Sequence, residues 1–246
     1  MAREAEAIAQ LAKEIGGDKV NKMLQYAITK GANVLPGYIY DHIRLPAASP
    51  NNPTIFFQVQ KGAAPGAFTT GTKDWVDTNL STASRLNSDE SFIGVGLMKS
   101  YPPRWLSYGA AVANRQDDFL NLMKDVEQLE GAMGAYIQVQ YQGSYDFLDA
   151  PLYQIPGGVR PASFAQTVGN PENYMRFNRV AAFEIGKETN IAVNQGYTAP
   201  AAFGSTSYVI EGMYIVGLRI KGLSNLGQEF RDMIANYNAQ IGKGAA

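Results

Sequence analysis

Side-chain catalysis needs a base, a nucleophile or a metal ligand, and this chain is poor in all three. Its 246 residues include one histidine, His42, and no cysteine. That excludes disulfides, thiolate metal sites, cysteine nucleophiles and any site needing two histidines. His42 follows Asp41 in YIYDHIRLP, a couple that could act as an acid-assisted general base. No serine stands in a nucleophile-elbow context to complete a triad, so the couple reads more simply as a polar pair in a connecting segment. Carboxylates pair at Asp117 with Asp118, Asp146 with Asp149, and Glu184 with Glu188, and two carboxylates suffice for glycoside hydrolysis. Each pair also has a local explanation. The first lies in the opening turn of a helix, where the dipole favours negative charge. Asp149 precedes the turn signal Ala150-Pro151, and the third pair flanks the hairpin tip Gly186-Lys187.

The glycine-rich segments lack the context of a phosphate loop. Gly94-Val95-Gly96 sits inside a strand pattern with no helix after it, so a bulge or close packing accounts for it better. Pro156-Gly157-Gly158 is a turn by composition. Carboxylates alone would have to bind any metal, and no calcium-loop spacing is present; no cofactor is expected. The aromatic residues Trp75, Trp105, Tyr101, Tyr108, Tyr141, Tyr145 and Tyr153 could form a sugar-binding platform. Rings with a polar tip are equally at home where subunits pack. A formal net charge of -1 leaves no positive field to hold a phosphate backbone, so sequence-specific nucleic-acid binding is not expected.

The elements that must position these residues are mostly strands. Ile8, Leu11 and Ile15, then Val20, Met23, Leu24 and Ala27, have helical spacing broken at Gly16-Gly17, which predicts two short helices with a stop at Lys30-Gly31. Val34 to Pro53 is rich in proline and reads as a connecting arm. From Thr54 the period becomes two: TIFFQVQ, SFIGVGLMKS, AYIQVQY, RVAAFEIG, TNIAVNQ and SYVIEGMYIVGLRI each predict a strand between turn residues. One helix, QDDFLNLMKDVEQLEG, is inserted among them, and LGQEFRDMIANYNAQI predicts a closing helix. The acidic N-terminus does not read as a signal peptide. The best apolar run, Val209 to Ile220, is interrupted by Glu211 and Arg219 and falls short of the about 18 apolar residues of a membrane span. The division expected is a helical arm and linker over 1–50, a β body over 51–224 and a C-terminal helix over 225–246.

Without βαβ alternation, an all-β antiparallel sandwich is the expected class. The order FEIGKETNIAVNQG, a loop rich in Ala, Ser and Thr, and then SYVIEGMYIVGLRI resembles the closing part of jelly-roll capsid proteins from tailless icosahedral bacteriophages. The resemblance is one of pattern, covers about two-thirds of the chain, and carries over no catalytic residue. A single roll with an inserted helix is favoured over a compact double roll, which needs about sixteen strands at about five to six residues each. The resemblance implies a homo-oligomeric structural protein of a virion shell, made in the host cytoplasm and without enzymatic activity. Other virion proteins or an internal membrane would be further partners.

Charges in the arm are balanced, so it does not read as a genome-neutralising tail. The stripe Ile8, Leu11, Ile15, Met23 and Leu24 fits docking on a neighbouring subunit and packing within the chain equally well. With Tyr141, Tyr145 and Tyr153 these residues form the candidate assembly contacts. A carbohydrate-binding sandwich and, behind it, a carboxylate-dependent glycosidase are the competing function classes.

Overall fold

The computed structural model describes residues 21–46, 54–60, 62–63, 73, 78–80, 90–101, 114–132, 134–141, 145–157, 174–183, 191–197 and 208–222, with 228, 229, 232, 233, 235, 236 and 239 beyond them. Residues 21–29 form helix α1, which stops at Lys30-Gly31 as the sequence predicts. The stop is a Schellman-type closure in which the Ala32 and Gly31 amides donate to the Ala27 and Ile28 carbonyls, both at 3.0 Å. The strands are β1 (Asn33–Pro46), β2 (Thr54–Phe56), β3 (Glu90–Ser100), β4 (Tyr136–Tyr141), β5 (Tyr145–Pro151), β6 (Met175–Phe183), β7 (Ile191–Gly196) and β8 (Tyr208–Lys221). Helix α2 (Asn114–Glu127) stands between β3 and β4 and ends in a π-type turn, Gln128–Ala132. The described residues after 222 are helical at the seven positions named.

Two four-stranded antiparallel sheets result, with strand orders β1-β8-β3-β6 and β2-β7-β4-β5. Both inner faces feed one core. Ile39, Leu45, Phe92, Leu97, Phe177, Met213 and Ile215 come from the first sheet, and Phe56, Ile137, Val139, Leu148 and Val193 from the second. Leu122 and Leu129 add the apolar edge of α2 and its π-type turn. This shared core makes the molecule an all-β sandwich.

Two expectations from the sequence fail at the level of elements. The supposed connecting arm is the fourteen-residue strand β1, paired with β8 from Asn33↔Lys221 to Pro46↔Tyr208, so the β body begins well before residue 51. Pro36 is tolerated because β1 is an edge strand of its sheet, where a missing amide hydrogen need not cost a ladder bond. The turn expected at Ala150-Pro151 is instead the end of β5, in which Asp149 faces Gln138 of β4.

The bulge expected at Gly94-Val95-Gly96 is present: the register of β3 shifts there against both β6 and β8. A side chain at Gly96 would place its Cβ 2.3 Å from the Tyr174 ring and 2.4 Å from the Met175 carbonyl oxygen, so the β6 backbone can approach only a glycine.

Candidate functional site

Alternation along a strand sends neighbouring residues to opposite faces. Asp41 shares its parity with the core residues Ile39 and Leu45 and lies inside the sandwich, whereas His42 lies on the outer face. The sequence couple is therefore no dyad. The Asp41 carboxylate accepts from the Phe57 amide at 2.7 Å and pairs with the Lys73 ammonium at 2.5 Å, both side chains being buried. Burial raises its pKa to about 6 against the opposing pull of Lys73. The pair ties β1 to the chain leaving β2.

On the outer face His42 and Ser100 lie on either side of Gly212 in adjacent strands. A Cβ at Gly212 would come within 2.3 Å of the His42 ring and 2.8 Å of Ser100 Oγ. That vacancy lets both side chains reach one hydroxyl, Tyr214 OH, with His42 Nε2 at 2.9 Å and Ser100 Oγ at 3.3 Å. Tyr40 stacks on Tyr214 at 5.7 Å between centroids and Tyr38 meets it edge-on at 6.0 Å. Histidine, serine and tyrosine thus meet, but all three are buried, so the group holds the sheet's outer surface together and presents no reacting atom to a substrate.

A denser polar group lies on the inner face, at the end of the sandwich that also holds Asp41. Lys99 Nζ donates to Leu152 O at 2.6 Å and pairs with Glu130 at 2.7 Å. Tyr101 OH donates to the same Glu130 oxygen at 2.8 Å and stands 3.5 Å from Glu211 Oε1. Glu211 and Gln195 are fully buried, and Glu211 Oε2 and Gln195 Oε1 receive no hydrogen bond. Burial, the largest cause, pushes Glu211 up to about 8 and, with the two glutamates beside it, drives the Tyr101 phenol well above its ordinary value. This carboxylate pair was missed by sequence reasoning, which met Glu211 only as an interruption of an apolar run. A lone acid inside SYVIEGMYIVGLRI was the available signal, since a charge in a buried strand requires partners.

The outer face of the second sheet is different in kind. Gln138, Gln140 and Asn194 lie there on adjacent strands, with Asn194 Nδ2 donating to Gln140 at 3.4 Å. Tyr136 lies across Gly196, and it, Ile55 and Asp149 are exposed. Tyr153, just past β5, is 61% exposed. Among the described residues this amide and tyrosine surface offers many hydrogen bonds and a single carboxylate, Asp149.

The candidate assembly contacts divide accordingly. Met23 and Leu24 are buried within the chain, which corrects their assignment as contacts: they hold α1 to its own body. Ile8, Leu11 and Ile15 lie outside the described residues. Tyr141 and Tyr145 are register partners where β4 meets β5, and Tyr153 is open to solvent. Of the supposed aromatic platform, Tyr101 is fully buried and belongs to the inner polar group; Trp75, Trp105 and Tyr108 lie outside the described residues. Asp117, Asp118 and Asp146 are in α2 and β5, while Glu184 and Glu188 lie outside the described residues. Among the described residues no cluster of three or more His, Asp or Glu could hold a metal ion. Likewise no described helix is long and apolar enough to cross a membrane. No protein-family model matches the chain, and no curated protein matches it either.

Proposed function

We propose that this protein is a structural virion component: a capsid subunit, built on a single jelly roll, that assembles into an icosahedral shell through apolar and hydrogen-bonded contacts. The observation that carries the reading is the nesting of the strand pairs, β1 with β8, β2 with β7, β3 with β6 and β4 with β5. Such nesting arises when one long antiparallel hairpin, four strands against four, is wrapped into two facing sheets, and rolls of this kind serve viral shells and lectins. Each described strand is used once, which favours the single roll over the compact double one. Fold alone does not assign function. The side chains support the reading as well: the buried Asp41, Lys73, Lys99, Glu211 and His42 are spent on internal ties, while the outer surface of the second sheet has the wet, tyrosine-bearing character of a contact patch.

The test is the assembly state of the purified protein across salt concentrations, followed by light scattering and electron microscopy. Uniform large particles that persist as salt rises are expected. A monomer at every concentration and ionic strength overturns the proposal. Removing residues 2–20 tests whether Ile8, Leu11 and Ile15 dock on a neighbouring subunit, another virion protein or a membrane: the proposal expects a stable subunit that no longer assembles.

A carbohydrate-binding sandwich is favoured by the same outer face, where the Tyr136 ring occupies the space beside Gly196 near three amides. That reading expects saturable glycan binding that disappears in Tyr136→Ala while the protein stays folded.

A further inference from the structure

The polar group around Glu211 has more acceptors than donors. Tyr101 has one hydroxyl proton, and the 2.8 Å contact commits it to Glu130. Lys99 is committed to Glu130 and to the Leu152 carbonyl. Gln195 supplies a hydrogen bond to Glu211 and also donates to Tyr197 OH at 3.3 Å. Glu211 Oε2 is left with nothing, in a side chain with no exposure to water. As a carboxylate it would be a buried anion with an unsolvated oxygen. As an acid it carries no charge and gains a proton to donate, and the Tyr101 oxygen, 3.5 Å away, has a lone pair free to receive it.

We propose that Glu211 is carried as the neutral acid and that its proton acts as a latch, closing this end of the sandwich and releasing it on ionisation. The groups facing Glu211 come from several elements. Lys99 and Tyr101 come from β3 and its end, Glu130 from the π-type turn after α2, and Gln195 and Tyr197 from β7 and its end. From β1 the cross-strand neighbour is the apolar Ile43, with Asp41 and its partner Lys73 two positions away. Ionised Glu211 would compete with Glu130 for Lys99, the single cation among the described residues that serves both. Glu130 is the partner able to leave, since it retains 20% exposure, and its departure frees the turn that fastens α2 to the core.

The direction of the pH effect follows from the shift. The folded protein holds this proton up to about pH 8, whereas the unfolded chain releases it near 4.5, the ordinary value of a glutamate. The stabilising contribution is therefore complete below about pH 4.5, falls as pH rises and is exhausted above about pH 8. Asp41 titrates in the same sense but is finished near pH 6; histidine ordinarily titrates between about 6 and 8 as well, so the comparison with Glu211→Gln, which keeps His42, separates the Glu211 contribution.

Urea unfolding from pH 6 to 9 on wild type and Glu211→Gln tests the latch. The wild-type unfolding constant should rise by up to about tenfold per pH unit until about pH 8 and then level; the glutamine variant should lack that rise. Glu130→Gln leaves Lys99 to Glu211 alone and should move the levelling point to lower pH. Hydrogen exchange over residues 128–135, corrected for intrinsic rates, should quicken above pH 8 in wild type only. Parallel curves for wild type and Glu211→Gln overturn the proposal. If the variants fail to fold, infrared titration of wild type decides: a protonated-carboxyl stretch that persists at pH 7, above the range of Asp41, and disappears on titration through pH 8 supports the buried acid, and its absence at pH 7 refutes it.

Discussion

Asp41 and Lys73 form an ion pair with almost no water around it, and removing one member strands the other. Lys73→Ala should cost about 3–5 kcal/mol in urea unfolding at neutral pH, because the buried carboxylate loses its counter-charge. The double variant Asp41→Asn with Lys73→Met should recover a large part of that loss, since neither side chain then carries a charge. Gly96→Ala should cost about 1–3 kcal/mol, the range for overpacking, because Met175 O is a backbone atom that cannot turn aside. Much of the chemistry at this scale was illegible in the sequence for one reason: contacts depend on the face, and the face depends on knowing the strand. Asp41 and His42 are neighbours along the chain yet lie on opposite sides of a sheet. Glu130 and Glu211, eighty-one positions apart, reach one hydroxyl. The bulge at Gly94-Val95-Gly96 was legible, because glycine spacing inside a strand reports on the backbone itself.

At the scale of elements, the free edge of β1 is guarded by two residues. Asn79 accepts from the Tyr40 amide at 3.0 Å and donates to the Tyr38 carbonyl at 2.8 Å, and Thr78 donates to the Tyr40 carbonyl at 3.0 Å. These contacts imitate a neighbouring strand where another chain could otherwise pair. Asn79→Ala should lower stability by about 1 kcal/mol and raise the rate of aggregation on mild heating, seen by light scattering. The strands with clear alternation, such as AYIQVQY and TNIAVNQ, were read correctly because one face is buried and the other wet. β1 escaped because its inner row contains Asp41 while its outer row is aromatic, which erases the contrast, and because Pro36 and Pro46 suggested a linker. β5 escaped because its register slips between Val139 and Gln140 of its partner and its last residue is proline.

For the whole molecule, fold class was legible and chain order was not. Alternation, turn residues and the lack of βαβ units require antiparallel sheets in layers, but nothing local says that the first strand and the last one pair. That pairing has a consequence during synthesis. In the first sheet β8 lies between β1 and β3, which do not touch each other as neighbours. On a ribosome making ~5–20 residues per second, β1 waits roughly ten to forty seconds for β8, its one partner among the described strands. Until β8 emerges, β3 can pair only with β6, and the apolar face of β1 has no sheet to join. Nascent chains arrested before Tyr208 should therefore be protease-sensitive and insoluble once released, while chains extended past Lys221 should acquire protection in one step. The sandwich is thus a structure that can close only after Lys221 has emerged, and a cell making many copies at once must keep the waiting β1 strands apart.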